Sequence, residues 1–204
     1  MLLLRLECAH FRCLEQCDFL PGQGLNVIRG DNAQGKTTLL EAILFGATTK
    51  SHRTNNDSEL ARYGEEAFHV RLEARRQDRA VQVESHWWRG AKRFRINGVP
   101  QTRLSDILGR LNVVMFSPED TALVQGGAGV RRRFLDMEIS QVDPQYLISL
   151  QHYRQALRQR NELLKAHAPD PALLAVWEQP LAEHGQTIMA ARAAYVEQLS
   201  GLAG

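Results

Sequence analysis

A glycine-rich run near the start of the chain has the residue types and spacing of a phosphate-binding loop. The run, Gly30-Asp31-Asn32-Ala33-Gln34-Gly35-Lys36-Thr37, fits the pattern G-x-x-x-x-G-K-S/T at every fixed position. In this pattern, backbone N–H groups and the N-terminus of a following helix surround the β-phosphate of a nucleotide. Lys36 is expected to bridge the β- and γ-phosphates, and the Thr37 hydroxyl is expected to coordinate Mg²⁺. The sequence therefore predicts a site for ATP and Mg²⁺ formed by Gly30, Asp31, Asn32, Ala33, Gln34, Gly35, Lys36, Thr37 and Thr38.

The acidic position that nucleotide hydrolysis requires is not evident. It is usually an Asp or an Asp-Glu pair that closes an apolar strand, holds Mg²⁺ and directs water. The candidate strand, Asn112 to Phe116, is followed by Ser117-Pro118 rather than by an acid. The sequence thus predicts nucleotide binding and assigns no residue to hydrolysis.

The elements around the loop are typical of an α/β protein. Two short strands, Leu2 to Phe11 and about Leu14 to Leu20, are followed by a turn and a third apolar strand, Leu25 to Ile28. After the loop comes an apolar helix, predicted from Lys36 to Ala47. Strand, loop and helix in this order open an α/β unit.

A different pattern follows the first helix. Residues 67–97 alternate between apolar and polar side chains and end at the turn Asn97-Gly98, which predicts an antiparallel meander. Its outward face is predicted to be basic. Of the adjacent Trp87 and Trp88, one is expected to pack in the core; stacking of a tryptophan beside Arg89 on a nucleic-acid base is the alternative.

The last part of the sequence predicts helices. Ser117-Pro118-Glu119-Asp120 is typical of a helix start, and a further helix carries the arginines of residues 131–133 after the break at Gly126-Gly127. Asp143-Pro144 and Asp170-Pro171 begin two more helices, whose apolar residues recur at steps of three and four. Because the link of residues 166–171 is short, these two helices are expected to be antiparallel.

Composition fits an ordinary globular protein. The 204 residues are 44% hydrophobic and 24% charged, and 25 basic against 23 acidic residues give a net charge of +2. No apolar stretch approaches the roughly 20 residues that span a bilayer, so a cytoplasmic protein without membrane association is expected. Cys8, Cys13 and Cys17 lack the paired C-x-x-C spacing of zinc knuckles, which favours reduced core residues over a zinc site with His10.

Four ordered blocks resemble the RecF family, bacterial recombination mediators related to ABC and SMC ATPases. The blocks are residues 30–43, Lys50-Ser51-His52-Arg53-Thr54-Asn55-Asn56-Asp57, Phe116-Ser117-Pro118-Glu119-Asp120 and Arg131-Arg132-Arg133-Phe134-Leu135-Asp136, with a further match at Gln159-Arg160-Asn161. The resemblance covers the whole chain. One departure is small: Phe11-Arg12 is followed by Cys13 where the family usually has Asn. The other is larger: the family's second half, with its signature motif, Walker B acids and D-loop, has no counterpart.

The resemblance implies an α/β fold: a P-loop ATPase lobe of the ABC type over residues 1–137, with an antiparallel β subdomain at about 67–97. A helical, coiled-coil-like arm over residues 138–204 would begin an incomplete second lobe. The resemblance also implies an ABC/SMC-type ATPase that sandwiches ATP between two subunits of a homodimer. This chain is expected to be nearly inactive alone, because the signature and Walker B motifs are not encoded.

The resemblance further implies a function in recombinational DNA repair and replication. It implies binding to DNA at single-strand gaps and junctions, and cooperation with RecR in loading RecA. By position, Arg53 resembles an arginine that couples DNA contact to hydrolysis, although an ordinary solvated loop charge is the alternative. Glu119 and Asp120 lie near the Q-loop position beside the γ-phosphate. The predicted DNA-contacting residues are Arg53, Arg71, Arg75, Arg93, Arg95, Arg131, Arg132 and Arg133, of which residues 131–133 would otherwise make ordinary surface salt bridges.

Two other functional classes compete with this hypothesis. A small P-loop kinase acting on a nucleoside or metabolite would suit the chain length, but the last third is predicted to be helical arm rather than acceptor pocket. A non-catalytic dimerisation module would bind no nucleotide. Phosphorylation assays and ATP-binding measurements separate these classes.

Overall fold

A computed structural model describes residues 1–77, 79–168 and 170–203, excluding the side chains of Leu104 and Ala203. The chain forms two compact units, Met1–Phe116 and Ser117–Gly204. The first unit thus ends before the boundary predicted at residue 137. The reason is that the helix carrying Arg131 packs with the helices that follow it. Two positions of the predicted arm, Pro169 in its link and Gly204 at its end, lie outside the described residues.

The first unit is built on a single antiparallel sheet. Its six strands are hydrogen-bonded in the order β2-β1-β3-β4-β5-β6. They are β1 (Leu2–Phe11), β2 (Leu14–Phe19), β3 (Ala67–Arg76), β4 (Arg79–Trp88), β5 (Ala91–Ile96) and β6 (Val99–Gln101). The meander predicted at about 67–97 is confirmed as β3 to β5, and β6 extends it through a turn in which Asn97 and Gly98 both have positive φ. It does not stand apart from the first two strands, because β3 pairs with β1.

Helix α1 (Lys36–Thr48) packs on one face of this sheet. Phe45 of α1 meets Phe11 and Phe68, with ring centroids 5.9 and 5.2 Å away. Gly46 lets the helix approach closely, since a Cβ there would lie 2.7 Å from the side chain of Leu72. The apolar face of the sheet and α1 therefore form the core of the first unit.

Two predicted strands are wrong. Neither 25–28 nor 112–116 is a strand in the described structure. Their side chains are largely exposed: Leu25 is 92%, Val27 76%, Val114 84% and Phe116 89% accessible. An apolar run becomes a strand only where a neighbouring strand pairs with its backbone, and neither edge strand of the sheet, β2 or β6, does so here.

The second unit is helical, as predicted, but its first helix differs from the prediction. A 3-10 turn, Pro118–Thr121, and the four-residue α2 (Ala122–Gln125) replace the single helix expected near Ser117. They are followed by α3 (Ala128–Val142), α4 (Pro144–Leu163) and α5 (Pro171–Ala203).

The antiparallel pairing of α4 and α5 is confirmed. Arg160 near the end of α4 lies 3.7 Å from Glu178 early in α5. His152 and His184 meet mid-way, with ring centroids 4.9 Å apart. Tyr146 at the start of α4 is within 3.0 Å of Arg192 late in α5. In the described parts of the chain no helix has the length and apolar character needed to cross a membrane.

Candidate functional site

The glycine-rich loop leads directly into α1. Its last residue, Gly35, has φ 87° and caps the helix in the left-handed conformation. A Cβ on Gly35 would lie 3.0 Å from Leu14 and 3.3 Å from the Cys13 sulfur. Both the backbone conformation and the close neighbours therefore require glycine at this position.

The N-terminus of α1 is arranged to receive an anion. The N-cap residue, Gly35, has no side chain that could hydrogen-bond to the first turn. The first-turn N–H groups, which no earlier turn can satisfy, are thus not capped by the side chain of the N-cap residue. Thr37 lies exposed in this turn.

Lys36 is held over the loop. Its Nζ donates hydrogen bonds to the carbonyl oxygens of Gly30, at 2.8 Å, and Asp31, at 2.6 Å. These contacts place an ammonium group beside the helix N-terminus. Positive charge, helix dipole and backbone donors together form a site that favours phosphate.

A buried carboxylate lies one turn further along α1. Glu41 is fully buried and accepts two hydrogen bonds from Arg12, at 3.1 Å from Nε and 2.8 Å from Nη2. The Ser51 hydroxyl donates a third, at 2.6 Å. Arg53 lies 3.6 Å away. The segments on both sides of the loop and helix are therefore joined at this one residue.

The charge state of Glu41 follows from these contacts. Burial alone would raise the pKa of the carboxyl group. Hydrogen bonds from Arg12 and Ser51, together with the positive charges of Arg12 and Arg53, outweigh burial and lower the pKa below its usual range. Glu41 is an ionised carboxylate inside the first unit.

Comparisons with known proteins find relatives that share one name. A family model described as an AAA domain matches residues 5–99. The chain is 39% identical over 204 residues to the DNA replication and repair protein RecF of Agathobacter rectalis and 40% identical over 203 residues to that of Ligilactobacillus salivarius. In each case the match covers 98% of this chain. The chain is thus similar to RecF proteins along almost its whole length.

A solved structure agrees with this similarity. The recombination mediator protein RecF with ATP, from the RecFOR pathway, superposes with a TM-score of 0.92 at 35% identity, over 97% of this chain. The match covers 54% of that RecF chain, and 56% and 54% of the two curated relatives. The chain spans about half the length of the RecF proteins it matches. The fold expected from the resemblance to the RecF family is confirmed.

Several of the arginines predicted to contact DNA lie on one face of the sheet. The outer face, opposite α1, carries Arg71 and Arg75 of β3 and Arg93 and Arg95 of β5. Arg71 is occupied by carboxylates, since it donates to Glu7 at 3.0 Å. This face is therefore less basic around Arg71 than the sequence predicted.

The far end of the outer face keeps its exposed arginines. Arg93 and Arg95, with Trp88 and His86, line a shallow depression of about 350 Å³. Trp88 is 56% exposed, whereas Trp87 is buried against Phe68, which confirms that one tryptophan packs in the core. Exposed aromatic and guanidinium groups together suit contact with a nucleic acid.

The remaining predicted residues lie in the second unit. Arg131 caps the preceding helix by donating to the carbonyl of Gly126 at 2.8 Å. Arg132 and Arg133 are exposed. Asp120 accepts a hydrogen bond from the Ser117 N–H at 2.6 Å and so stabilises the 3-10 turn that also contains Glu119.

Sequence reasoning missed a second buried acid. Asp136 accepts hydrogen bonds from Arg154 at 2.8 Å, Arg192 at 2.6 Å and the Tyr146 hydroxyl. Burial and this carboxylate raise the pKa of Tyr146 to about 12. An acid one helical turn after three arginines was a usable signal, but its partners lie on other helices and could not be paired from spacing.

Proposed function

We propose that this chain is the ATP-binding part of a RecF-type recombination protein. The observation that carries the proposal is the loop itself, with an uncapped helix N-terminus and Lys36 held beside it. A RecF of 35% identity has been solved with ATP, which supports the same ligand here. Mg²⁺ would be held by the nucleotide phosphates and the exposed hydroxyl of Thr37. Nothing in the structure favours a kinase.

Nucleotide affinity tests this proposal. Labelled ATP with Mg²⁺ should bind the chain, and Lys36→Ala should weaken binding about tenfold or more, because a charge-assisted phosphate contact is lost. Lys165→Ala is the matched control, since this lysine is exposed and pairs only with Glu162, at 2.7 Å, in the described structure. Equal affinity of Lys36→Ala and Lys165→Ala would show that the loop is not the site.

We infer that the whole protein acts on DNA at single-strand gaps and junctions and helps RecR to load RecA in the cytoplasm. The support is the similarity to RecF proteins and the exposed Arg93, Arg95 and Trp88 on the outer face. An ATP-dependent homodimer would complete the nucleotide site, because the family sandwiches ATP between subunits. For this chain alone we expect little ATP turnover, since no Walker B acid follows its apolar segments.

Salt dependence tests the DNA contact. If Arg93 and Arg95 each contact a phosphate, their joint replacement by alanine should lower the slope of log affinity against log salt by about 1.8 on duplex DNA. Arg5→Ala is the control, because Arg5 is held by Asp18 at 2.8 Å. A slope that the Arg93→Ala/Arg95→Ala variant leaves unchanged would place DNA elsewhere, with Arg132 and Arg133 the next to be tested.

A further inference from the structure

Three potential metal ligands meet on the outer face, away from the phosphate loop. His69 of β3 is the direct cross-strand partner of His86 of β4, and their rings stack with centroids 4.2 Å apart. Glu84 precedes His86 by two residues and therefore projects from the same face of β4. The pairing register of two central strands, rather than a flexible loop, brings the three side chains together.

The ligand atoms are close enough to share one ion. One atom from each of His69, Glu84 and His86 lies within 4.8 Å of the other two, and no other such group occurs among the described residues. Nitrogen and oxygen ligands at about 2.1 Å from a tetrahedral zinc ion are about 3.4 Å apart. His86 has a side chain 46% exposed, so it can rotate to close the difference, while its strand stays fixed.

One ligand atom in this group has no protein partner. The Nε2 atom of His69 is buried and makes no hydrogen bond to any described residue. A buried nitrogen in this position is costly unless something coordinates or hydrogen-bonds to it. Glu84 lies 3.8 Å from His86 through one oxygen, and no hydrogen bond ties the two together.

The neighbouring charges leave Glu84 available. Arg71 is the cation nearest to it, at 3.9 Å, but Arg71 makes its hydrogen bond to Glu7 at 3.0 Å. Arg93 and Arg95 stand opposite His86 and Glu84 in the register of β5. These arginines keep the site from being strongly acidic. Any preference for one cation over another must therefore come from the imidazole nitrogens rather than from negative charge alone.

We propose that His69, Glu84 and His86 form a binding site for a divalent transition metal, with Zn²⁺ the best fit. Two imidazoles and a carboxylate are a ligand set that suits zinc, and three protein ligands leave a fourth position for water or an external group. Mg²⁺ and Ca²⁺, which prefer oxygen ligands, are disfavoured here. The bound ion would join β3 to β4 on the outer face.

Metal binding by untagged, chelator-treated protein tests the site. Titration with Zn²⁺ alone should show one ion per chain and a raised thermal midpoint, and Co²⁺ should give the absorption of a tetrahedral complex. His86→Ala should reduce Zn²⁺ affinity by about 100-fold or more and abolish the shift in midpoint. His69→Ala should do the same, and the exposed His86 keeps the test interpretable if the His69 variant folds poorly.

Matched controls decide between this site and others. His152→Ala removes a histidine from a second pair that has no third ligand among the described residues, and it should bind Zn²⁺ as the unmodified chain does. Cys13→Ser removes the exposed thiol and should also leave binding unchanged. The proposal is overturned if Zn²⁺ affinity survives His86→Ala, or if it is lost in Cys13→Ser or His152→Ala.

Discussion

Removing Arg12 is the sharpest single test of how the phosphate loop is supported. In the wild-type chain, Glu41 is fully buried and ionised, and Arg12 supplies two of its three hydrogen bonds. Arg12→Ala would leave that carboxylate with the Ser51 hydroxyl and the more distant Arg53. Breaking a buried ion pair by removing one partner costs about 3 kcal/mol, because the other charge stays desolvated.

Arg53 provides an internal contrast. Its side chain is 44% exposed and lies 3.6 Å from Glu41, beyond hydrogen-bond distance. Arg53→Ala should therefore lower the free energy of unfolding by less than about 1 kcal/mol. The exposed pair of Arg62 and Glu15 sets the baseline, and Arg62→Ala should cost a similarly small amount.

The assay is urea unfolding followed by tryptophan fluorescence in a Trp177→Phe background, so that Trp87 and Trp88 report on the first unit alone. Arg12→Ala should shift the midpoint by about 1–2 M. Combining it with Glu41→Gln should recover part of the loss, because the uncompensated charge is then absent. A loss below about 1 kcal/mol in Arg12→Ala, or fully additive losses in the double variant, would refute the reasoning.

Three further outcomes are expected. Gly46→Ala should destabilise the first unit by about 1–3 kcal/mol in the same urea assay, since its Cβ would meet the buried Leu72 at 2.7 Å; wild-type stability would mean that α1 can shift. Iodoacetamide near pH 8 should modify exposed Cys13 first, because burial raises the pKa of Cys8 to about 12; equal labelling by mass spectrometry would contradict this. The folded-state pKa of Glu41 is lowered, so the ionised carboxylate stabilises the folded chain at pH values above the ordinary pKa of 4.5. This stabilisation is lost as the pH falls through the folded pKa. The wild-type chain should therefore lose more free energy of unfolding in acid than Glu41→Gln does, as measured by urea unfolding at a series of pH values.

Local patterns predicted most of the helices and five of the six strands in the described sheet, all but β6. The helix after the loop is predicted to end at Ala47 and ends at Thr48. An apolar run that begins at a glycine cap determines such a helix locally. The antiparallel pairing of α4 and α5 follows from the short link between two helices whose apolar residues recur at steps of three and four. These features depend on residues close in sequence, and such patterns determine local structure well.

Local sequence patterns could not predict which distant segments pair with one another. The runs 25–28 and 112–116 have strand composition, yet strand formation depends on a neighbour that composition does not name. The stacking of His69 on His86 similarly depends on the register of β3 with β4. A shift of one residue would move one of the two imidazoles to the core face, so neither side chain marks the cluster by itself.

The same limit explains why Glu41 was not recognised. In the sequence it is one acid within an apolar helix, where an exposed position would be the usual interpretation. Its partners come from Arg12, before the loop, and from Ser51 and Arg53, after the helix. Since Cys13, next to Arg12, lies against Gly35, the carboxylate ties the turn between β1 and β2 to the helix after the loop. Glu41→Gln should therefore weaken nucleotide binding, although Glu41 itself does not contact the phosphates. Arg53→Ala should leave the phosphate loop in place.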